Sequence, residues 1–275
     1  MKKLSIIILS YNVRQLLIDC LKSLPGHPDW EVIVVDNASS DDSVAQVKKH
    51  FPQVKVIVNK SNLGFAAGNN LGIHHARGRY VLTLNPDTLV PKNTIETVLQ
   101  YIEQHSRVGA ATCRVELPDG SLDYSCHRGF PTPWSALLHF TGFRRLSPYT
   151  ASRIPNTVHE IDALTGAFAL MRRAAGSEAG WFDEDYFWNG EDLDLCYRLK
   201  EHGWKIMYIP SVKITHFKGS SAKATLASRQ KWALDSTAVM KIFYTKHLAS
   251  KYPFFVNWFV YAGIWLLEKF RLVKT

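Results

Sequence analysis

The side chains of this 275-residue chain that could do chemistry include two short acidic motifs and one histidine, far apart in the sequence. The first motif, Asn85-Pro86-Asp87, follows an apolar run. A carboxylate fixed there by a proline turn suits Mg²⁺, which takes one or two protein carboxylates and completes its shell with water and phosphate oxygens. His216 also follows a short β-branched run and would add an imidazole to the same cation. The plainer alternatives are an aspartate in a turn and a hydrogen-bonded surface histidine.

The second motif is Glu191-Asp192, which is followed by Asp194. The residue pattern predicts a helix over 191–202, so these acids lie at the positive end of its dipole. An ionised carboxylate aimed at a substrate hydroxyl acts as a general base, an effect of about 10²- to 10⁴-fold in rate. Helix capping is the structural alternative for such acids, and it is our assignment for Asp194.

Short β-branched runs alternate with helical spacing in the first half of the chain. We expect strands at 4–9, 31–35, 54–58, 80–84 and 108–112, and helices at 13–24, 41–50, 65–76 and 91–104. Apolar runs without internal alternation are typical of a parallel sheet that is covered on both faces. The pattern therefore predicts an α/β fold with a doubly wound, mostly parallel central sheet and helices on both faces.

Polar residues follow four of these strands. They are Ser10 and Tyr11, then Asp36, then Asn62 and Gly64, and finally Asn85 and Asp87. Each of these residue types is also common in turns and at helix starts. The carboxyl ends of parallel strands meet at one edge of an open α/β sheet, where ligands bind. Four polar groups in phase therefore favour a shared binding site.

The second half of the chain is less regular. Residues 116–160 carry scattered proline, glycine and aromatic residues, and we interpret them as a long functional loop or subdomain. We expect a strand or strand pair within 161–172, two short strands at 206–209 and 212–215, and helices in most of the remainder. The organisation that follows is one catalytic domain, 1–221, with a C-terminal helical extension, 222–275.

Positive charge is concentrated near the C-terminus. The formal net charge is +9, and from Lys218 onward ten Lys or Arg residues stand against Asp235 and Glu268, a balance of +8. The run YPFFVNWFVYAGIWLL in the same region is typical of a membrane interface and not of nucleic-acid binding. Its apolar part, 253–267, would be about 22 Å long as a helix, too short for a hydrocarbon core of about 30 Å. We predict contact with an anionic membrane surface; packing on the body or dimerisation is the alternative.

Composition and missing motifs exclude several classes of protein. Hydrophobic residues make up 46% of the chain, enough for a full core, which excludes a disordered or coiled-coil protein. The four cysteines have no paired spacing, which favours a reducing cytoplasm, and the first residues lack the cleavage site of a signal peptide. Neither GxGxxG nor GxxxxGK[ST] is present, so dinucleotide and P-loop chemistry lack their main support.

Several segments together resemble, in order and spacing, the family 2 glycosyltransferases with the GT-A fold. They are SIIILSYN, VVDNASSD, NLGFAAGNNLGI, GRYVLTLNPDT, TGAFALMRR, FDEDYFWNGEDLDLCYRLKEHGW and THFKGSS, within Lys3 to Ser221. Within that family the chain is most similar to bacterial rhamnosyltransferases of cell-surface polysaccharide assembly. The resemblance implies a nucleotide-binding half, 1–112, and an acceptor-binding half, 113–221.

The resemblance also implies roles for individual residues. Asn85-Pro86-Asp87 matches the DxD-type metal motif of the family with Asn in the first place. Asp87 and His216 are therefore expected to hold Mg²⁺ or Mn²⁺, and Asp36 is expected to contact the base of the donor. The implied donor-binding residues are Ser10, Tyr11, Asp36, Asn62, Gly64, Asn85 and Asp87.

On the acceptor side, Glu191-Asp192 matches the acidic pair whose aspartate is the base, which makes Asp192 the expected catalytic residue. The acceptor-site candidates are Trp188 and Glu191. A metal that neutralises the leaving diphosphate and a base on the opposite side of the sugar imply displacement with inversion. No covalent nucleophile is required.

The activity implied is transfer of a sugar, rhamnose from dTDP-rhamnose, to a glycan or polyprenyl-diphosphate-linked acceptor at the inner face of the cytoplasmic membrane. Two alternatives stay open. One is a catalytically inactive nucleotide-sugar-binding protein. The presence of Asp87, Asp192 and His216 together argues against it. The other is a nucleotidyltransferase, which would need a glycine-rich basic loop where SYNVRQ stands. No nucleic-acid partner is expected.

Overall fold

A computed structural model describes residues 2–143, 147, 149, 154–218 and 226–273. Within these residues nine strands form a single sheet that is flanked by helices. The strands are β1 (Leu4–Ser10), β2 (Trp30–Asp36), β3 (Lys55–Val58), β4 (Tyr80–Leu84), β5 (Thr88–Leu89), β6 (Val108–Glu116), β7 (His159–Glu160), β8 (Phe168–Arg172) and β9 (Lys205–His216). The helices are α1 (Arg14–Ser23), α2 (Ser43–His50), α3 (Phe65–His75), α4 (Thr94–Gln104), α5 (Pro133–Phe140), α6 (Arg173–Ala179), α7 (Glu191–Glu201), α8 (Leu226–His247) and α9 (Phe254–Val273).

The first half of the chain builds the parallel part of the sheet. β1 lies between β2 and β4, and β3 pairs with β2, all in parallel register. The β-branched runs supply the core, where Ile6, Ile7 and Val35 are fully buried. Burial on both faces explains why these strands show no alternation in the sequence. The predicted α/β fold is confirmed, and the carboxyl ends of these strands meet at one edge.

β8 is the strand that sequence patterning did not orient. It lies antiparallel between β4 and β6, with Leu84 of β4 opposite Phe168 of β8. The carboxyl end of β4 therefore lies beside the residues that lead into β8. The expected strand region within 161–172 is thus shorter than predicted, and its first part approaches the end of β4 as irregular backbone.

β9 is one strand of the sheet and not two separate short ones. It pairs in parallel with β6, and the register shifts where Cys113 faces Ile209 and Arg114 faces Lys213. Pro210 falls in this shift, so its missing N–H does not interrupt a regular ladder. β6 continues to Glu116 to meet the second part of β9.

The segment predicted as a long loop or subdomain contains local structure. A 3₁₀ turn occupies Tyr124–Cys126, and α5 begins at Pro133 after Thr132, whose hydroxyl accepts a hydrogen bond from the N–H of Ser135 at 3.2 Å. Thr132-Pro133 is a recognisable helix start, with a capping hydroxyl followed by proline in the first turn. The sequence therefore carried a signal for this helix that our interpretation missed.

The C-terminal helices α8 and α9 are tied to the body through α7. Asp194 of α7 is fully buried, and its carboxylate accepts hydrogen bonds from Arg198 and from Nε2 of His247 on α8, the latter at 2.6 Å. Asp194 is thus an anchor between helices and not the cap that we expected. The predicted boundary between residues 221 and 222 lies outside the described residues. In the part of the chain that is described, no helix is both long and apolar enough to cross a bilayer.

Candidate active site

The ends of β1 and β2 present buried polar groups at the expected edge. Ser10 and Asp36 are paired across these strands, and the carbonyl oxygen of Ser10 accepts the N–H of Asn37 at 2.8 Å. One carboxylate oxygen of Asp36 accepts the N–H of Ser39 at 3.0 Å. The other oxygen, and the hydroxyl of Ser10, are buried with no hydrogen-bond partner among the described residues. Since buried polar atoms are normally paired, these two suit contact with a ligand. Tyr11 follows with an exposed ring.

The predicted donor loop after β3 is held together by asparagine side chains. The Oδ1 of Asn62 accepts hydrogen bonds from Nδ2 of Asn37 at 3.0 Å and from the N–H of Gly64 at 2.9 Å. Gly64 has a φ of +83°, and a β-carbon there would lie 2.6 Å from the carbonyl oxygen of Phe187. The close approach to Phe187 explains why glycine is required at this turn. Whether Asn62 and Gly64 also contact a donor stays a prediction.

Strand pairing brings Asp87 and His216 together. Thr88 of β5 pairs antiparallel with His216 of β9, and the N–H of Phe217 donates to the carbonyl oxygen of Asp87 at 2.8 Å. As a result, Oδ1 of Asp87 lies 3.2 Å from Nε2 of His216. The side chain of Asn85 approaches the same nitrogen at 3.5 Å. The two proposed metal ligands, 129 residues apart in the sequence, are therefore neighbours.

Asp123 is a third member of this cluster that sequence reasoning missed. Its Oδ2 lies 3.7 Å from Nδ1 of His216, and Nζ of Lys218 lies 3.2 Å from both of its oxygens. Burial alone would raise the pKa of Asp123, but the facing imidazole of His216 and hydrogen bonding from Ser125 lower it well below the ordinary value. Burial opposes the charge of His216, but Asp123 and Asp87 raise the pKa of its imidazole to about 9. Asp123 stands in the irregular 116–160 segment, where no local pattern marks it.

The pair formed by Asp87 and His216 fits a divalent cation. Two ligands at right angles, each about 2.1 Å from Mg²⁺, lie about 3 Å apart, which is close to the separation observed here. The other imidazole nitrogen of His216 faces a carboxylate, the arrangement that orients histidine toward a metal. Among the described residues, no group of three or more His, Cys, Asp or Glu side chains is arranged to hold a metal. The protein would therefore supply two ligands, with phosphate oxygens and water completing the shell.

Asp192 lies in a pocket of hydrogen-bond donors. Its Oδ2 accepts from Nη2 of Arg128 at 2.6 Å and from the N–H of Gly166 at 3.0 Å, and its Oδ1 accepts from the N–H of Leu193 at 2.7 Å. These contacts stabilise the ionised carboxylate and fix its orientation. Arg128 also donates to the carbonyl oxygen of Leu164 at 2.6 Å. No local sequence pattern marked Arg128, because its partner is 64 residues away.

Glu191 has a different environment from its neighbour Asp192. It is buried, and its Oε2 has no hydrogen-bond partner among the described residues. Burial and the adjacent charge of Asp192 raise the pKa of Glu191. Adjacent titratable groups whose environments separate their pKa values are the usual mark of divided acid and base roles. The candidate acceptor residue Trp188 is half-exposed nearby along the chain, with Nζ of Lys231 5.4 Å from its ring centre.

A single dipeptide joins the two clusters. The carbonyl oxygen of Ala167 accepts the N–H of Asn85 at 3.2 Å, and the N–H of the preceding residue, Gly166, donates to Asp192. A β-carbon at Gly166 would lie 3.6 Å from Oε1 of Glu191. The Asn85-Pro86-Asp87 turn and the start of α7 are thus adjacent, on two sides of Gly166-Ala167. This adjacency is the condition for both clusters to act on one bound molecule.

The fold and site define the class of protein. A sheet of this order, with a metal-type acidic turn after β4 and an acidic helix start beside it, is the GT-A fold of glycosyltransferases. The family model for glycosyl transferase family 2 matches residues 5–180, and the chain belongs to this family.

Named relatives lie within the same group. The chain is 28% identical over 223 residues to the N-acetylglucosaminyl-diphospho-decaprenol L-rhamnosyltransferase of Mycobacterium tuberculosis, covering 75% of this chain and 72% of that protein. It is 27% identical over 242 residues to the rhamnosyltransferase WbbL of Escherichia coli K12, covering 84% of this chain and 90% of the relative. The resemblance to bacterial rhamnosyltransferases is therefore confirmed.

Solved structures support the same fold. The mannosyltransferase PcManGT of Pyrobaculum calidifontis, in complex with GDP-Man and Mn²⁺, superposes with a TM-score of 0.59 at 18% identity and covers 98% of this chain and 72% of that chain. TarS 1–349 of S. aureus gives a TM-score of 0.58 at 20% identity, and the match spans 90% of this chain and 66% of TarS 1–349. At these identities the likeness shows the GT-A fold.

Proposed function

We propose that this glycosyltransferase is an inverting, metal-dependent rhamnosyltransferase. It transfers rhamnose from dTDP-rhamnose to a glycan or polyprenyl-diphosphate-linked glycan during assembly of a cell-surface polysaccharide, at the inner face of the cytoplasmic membrane. The observation that carries the proposal is the adjacency of the two acidic clusters on either side of Gly166-Ala167. The names of the relatives from M. tuberculosis and E. coli support rhamnose as the sugar.

On the donor side, Asp87 and His216 would hold Mg²⁺ or Mn²⁺. When bound, the cation acts as a Lewis acid that neutralises charge on the departing diphosphate, an effect of several kcal/mol. Asp36 and Ser10 offer the unpartnered polar atoms that would contact the nucleoside. The Mn²⁺ in the PcManGT complex supports a divalent cation in this fold.

On the acceptor side, Asp192 accepts the proton of the attacking hydroxyl. The acceptor oxygen forms a bond to the anomeric carbon as the bond from that carbon to the diphosphate oxygen breaks, and the diphosphate leaves with the electron pair. Attack from the face opposite the leaving group inverts the configuration. Arg128 and the N–H groups of Gly166 and Leu193 hold the Asp192 carboxylate in a fixed orientation for this proton transfer.

A donor screen tests this function directly. Purified protein is mixed with dTDP-, UDP- and GDP-sugars in the presence of Mg²⁺, Mn²⁺ or EDTA, and thermal shift and nucleotide release are measured. We expect dTDP-rhamnose with a divalent cation to give the largest shift, since a ligand at 100 times its Kd stabilises the folded state by about 2.7 kcal/mol. Release of dTDP should then require an acceptor, with a GlcNAc-diphospho-polyprenol as the first one tried. A larger shift with UDP- or GDP-sugars would contradict the donor, and binding without release for every acceptor would support the inactive binding protein.

A further inference from the structure

Helix α9 exposes large apolar side chains along one face, and its less exposed side combines apolar residues such as Val260 and Ile264 with the polar residues Asn257, Glu268 and Arg271. Its exposed residues are Phe254, Phe255, Trp258, Phe259, Gly263, Trp265, Leu266, Lys269, Phe270 and Val273. All but Gly263 and Lys269 are large hydrophobic residues. A surface helix of a globular protein normally shows the opposite pattern, with its apolar stripe toward the core.

The inward face of α9 is held to α8 by polar contacts. The hydroxyl of Tyr244 donates to Oδ1 of Asn257 at 2.6 Å, and the hydroxyls of Thr245 and Tyr261 lie 2.9 Å apart. Further along, the hydroxyl of Thr237 donates to Glu268 at 3.1 Å. These bonds fix the rotation of α9 about its axis. The exposed aromatic face is therefore a feature of the packed hairpin and not of a helix free to turn.

An exposed apolar face of this extent marks a surface that meets another phase or another molecule. Charge distinguishes a membrane from a second protein molecule as the partner of this face. The segment from Lys218 onward has a formal balance of +8, and although Lys218, Lys246 and Lys251 pair with carboxylates of the body, the remaining positive charge would repel a second copy and attract anionic lipid headgroups. Each Lys or Arg near an anionic membrane contributes about 1 kcal/mol. Trp and Phe side chains are also suited to the boundary between headgroups and acyl chains.

We propose that the exposed face of α9 lies in the headgroup layer of an anionic membrane, with the helix axis parallel to the membrane plane. Its 20 residues extend over about 30 Å along the surface, with the aromatic rings immersed by about 5–10 Å. The inference deepens the proposed function and rests on it for the presence of a lipid-linked acceptor.

Docking of α9 would also orient the catalytic helix. α9 packs on α8, and His247 of α8 bonds Asp194 of α7, the helix that begins with Glu191 and Asp192. Both members of the Asp194–His247 contact are buried. The contacts from α9 through α8 to the helix that carries the base would hold the acceptor side of the site at a fixed height above the lipid.

Vesicle binding tests the proposal. Full-length protein is sedimented with phosphatidylcholine vesicles and with vesicles of equal phosphatidylcholine and phosphatidylglycerol, without sugar or metal. We expect preferential binding to the anionic vesicles, weaker at high salt. The variant W258S/F259S/W265S should lose at least about tenfold in partition coefficient, because three exposed aromatic anchors are removed. Circular dichroism checks that the variant keeps its helix content. The controls are Val58→Ser on β3 and Trp134→Ser on α5, which remove exposed hydrophobic side chains elsewhere.

A second variant measures immersion independently of affinity. W258F/W265F keeps both positions aromatic and should still bind vesicles, but quenching of protein fluorescence by brominated lipid should fall, because the remaining tryptophans lie outside the α9 face. Undiminished quenching would overturn the proposal. So would vesicle binding by W258S/F259S/W265S equal to wild type, or an equal loss with Trp134→Ser. A shift from dimer to monomer in light scattering, with vesicle binding unchanged, would assign the face to a second copy of the chain. None of these readouts needs sugar transfer, so failure of the donor screen leaves them interpretable.

Discussion

The two acidic clusters of the site differ in how their charge is balanced. Asp87 contacts the imidazole of His216, whose other nitrogen faces Asp123, a carboxylate that also contacts Lys218. Around Asp192 a guanidinium and two backbone N–H groups already satisfy the carboxylate. In the proposed function the first cluster is completed by a bound cation, whereas the Asp192 carboxylate already has a cationic partner within the protein. One site can thus divide its work between two carboxylates by pairing Asp192 with a guanidinium and placing Asp87 beside an imidazole, a group that also serves as a metal ligand in proteins.

The largest effect is expected from Asp192→Asn. Asparagine keeps the shape of the side chain but cannot accept the proton of the attacking hydroxyl, so transfer should fall by about 10²- to 10⁴-fold. Turnover of dTDP-rhamnose is measured, with thermal shift by the donor as the control for intact binding. Turnover near that of the wild type would show that Asp192 is not the base, and the two clusters would then not divide the work as proposed.

The next largest effect is expected from Arg128→Met, which should lower the free energy of unfolding. It leaves the Asp192 carboxylate, whose side chain is only 10% exposed, without its cation, and breaking a buried pair in this way costs about 3–5 kcal/mol. Urea unfolding measures the loss. Arg128→Lys should retain part of the stability, and the double variant R128M/D192N should recover some of it, since no unpaired charge then remains. A double variant no more stable than R128M would contradict the view that Arg128 acts by neutralising Asp192.

Asp87→Ala tests the other cluster. Loss of a residue that hydrogen-bonds a metal ligand typically costs about 10- to 100-fold in metal affinity or activity. Loss of the ligand Asp87 itself should weaken donor binding in the presence of Mg²⁺ by at least this factor. Calorimetry of dTDP-rhamnose with and without Mg²⁺ measures the metal-dependent part of the affinity. Asp123→Asn, which removes only the carboxylate behind His216, is the matched variant and should lose less. Equal affinity with and without Mg²⁺ in the wild type would contradict the metal role of Asp87.

The same contrast explains what the sequence could and could not predict. Asp87 and His216 each end a β-branched run, and their meeting follows from strand pairing, so local patterns and sheet geometry were enough to propose them. Arg128 and Asp123 lie in an irregular segment, and their partners Asp192 and His216 stand 64 and 93 residues further along the chain. Local periodicity does not encode such long-range contacts. The exposed aromatic face of α9 could be predicted only in part. Composition showed the aromatic and basic residues of this segment but not which side of the helix α8 would cover.

The smallest effect is expected at Glu191, the acid of the second cluster whose Oε2 has no hydrogen-bond partner among the described residues. Its pKa is raised above the ordinary 4.5 by burial and by Asp192. At pH values between the ordinary pKa of the unfolded chain and the raised pKa of the folded chain, Glu191 has lost its proton in the unfolded chain and keeps it in the folded one. The free energy of unfolding of the wild type should therefore fall as pH rises in this window, by at most about 1.4 kcal/mol per pH unit. Glu191→Gln is neutral throughout, and its stability against pH should be flatter in urea unfolding at a series of pH values. The exposed control Glu184→Gln should keep the wild-type slope. Parallel curves for wild type and Glu191→Gln would mean that Glu191 is ionised in the folded protein, and the two carboxylates of this cluster would then share one environment.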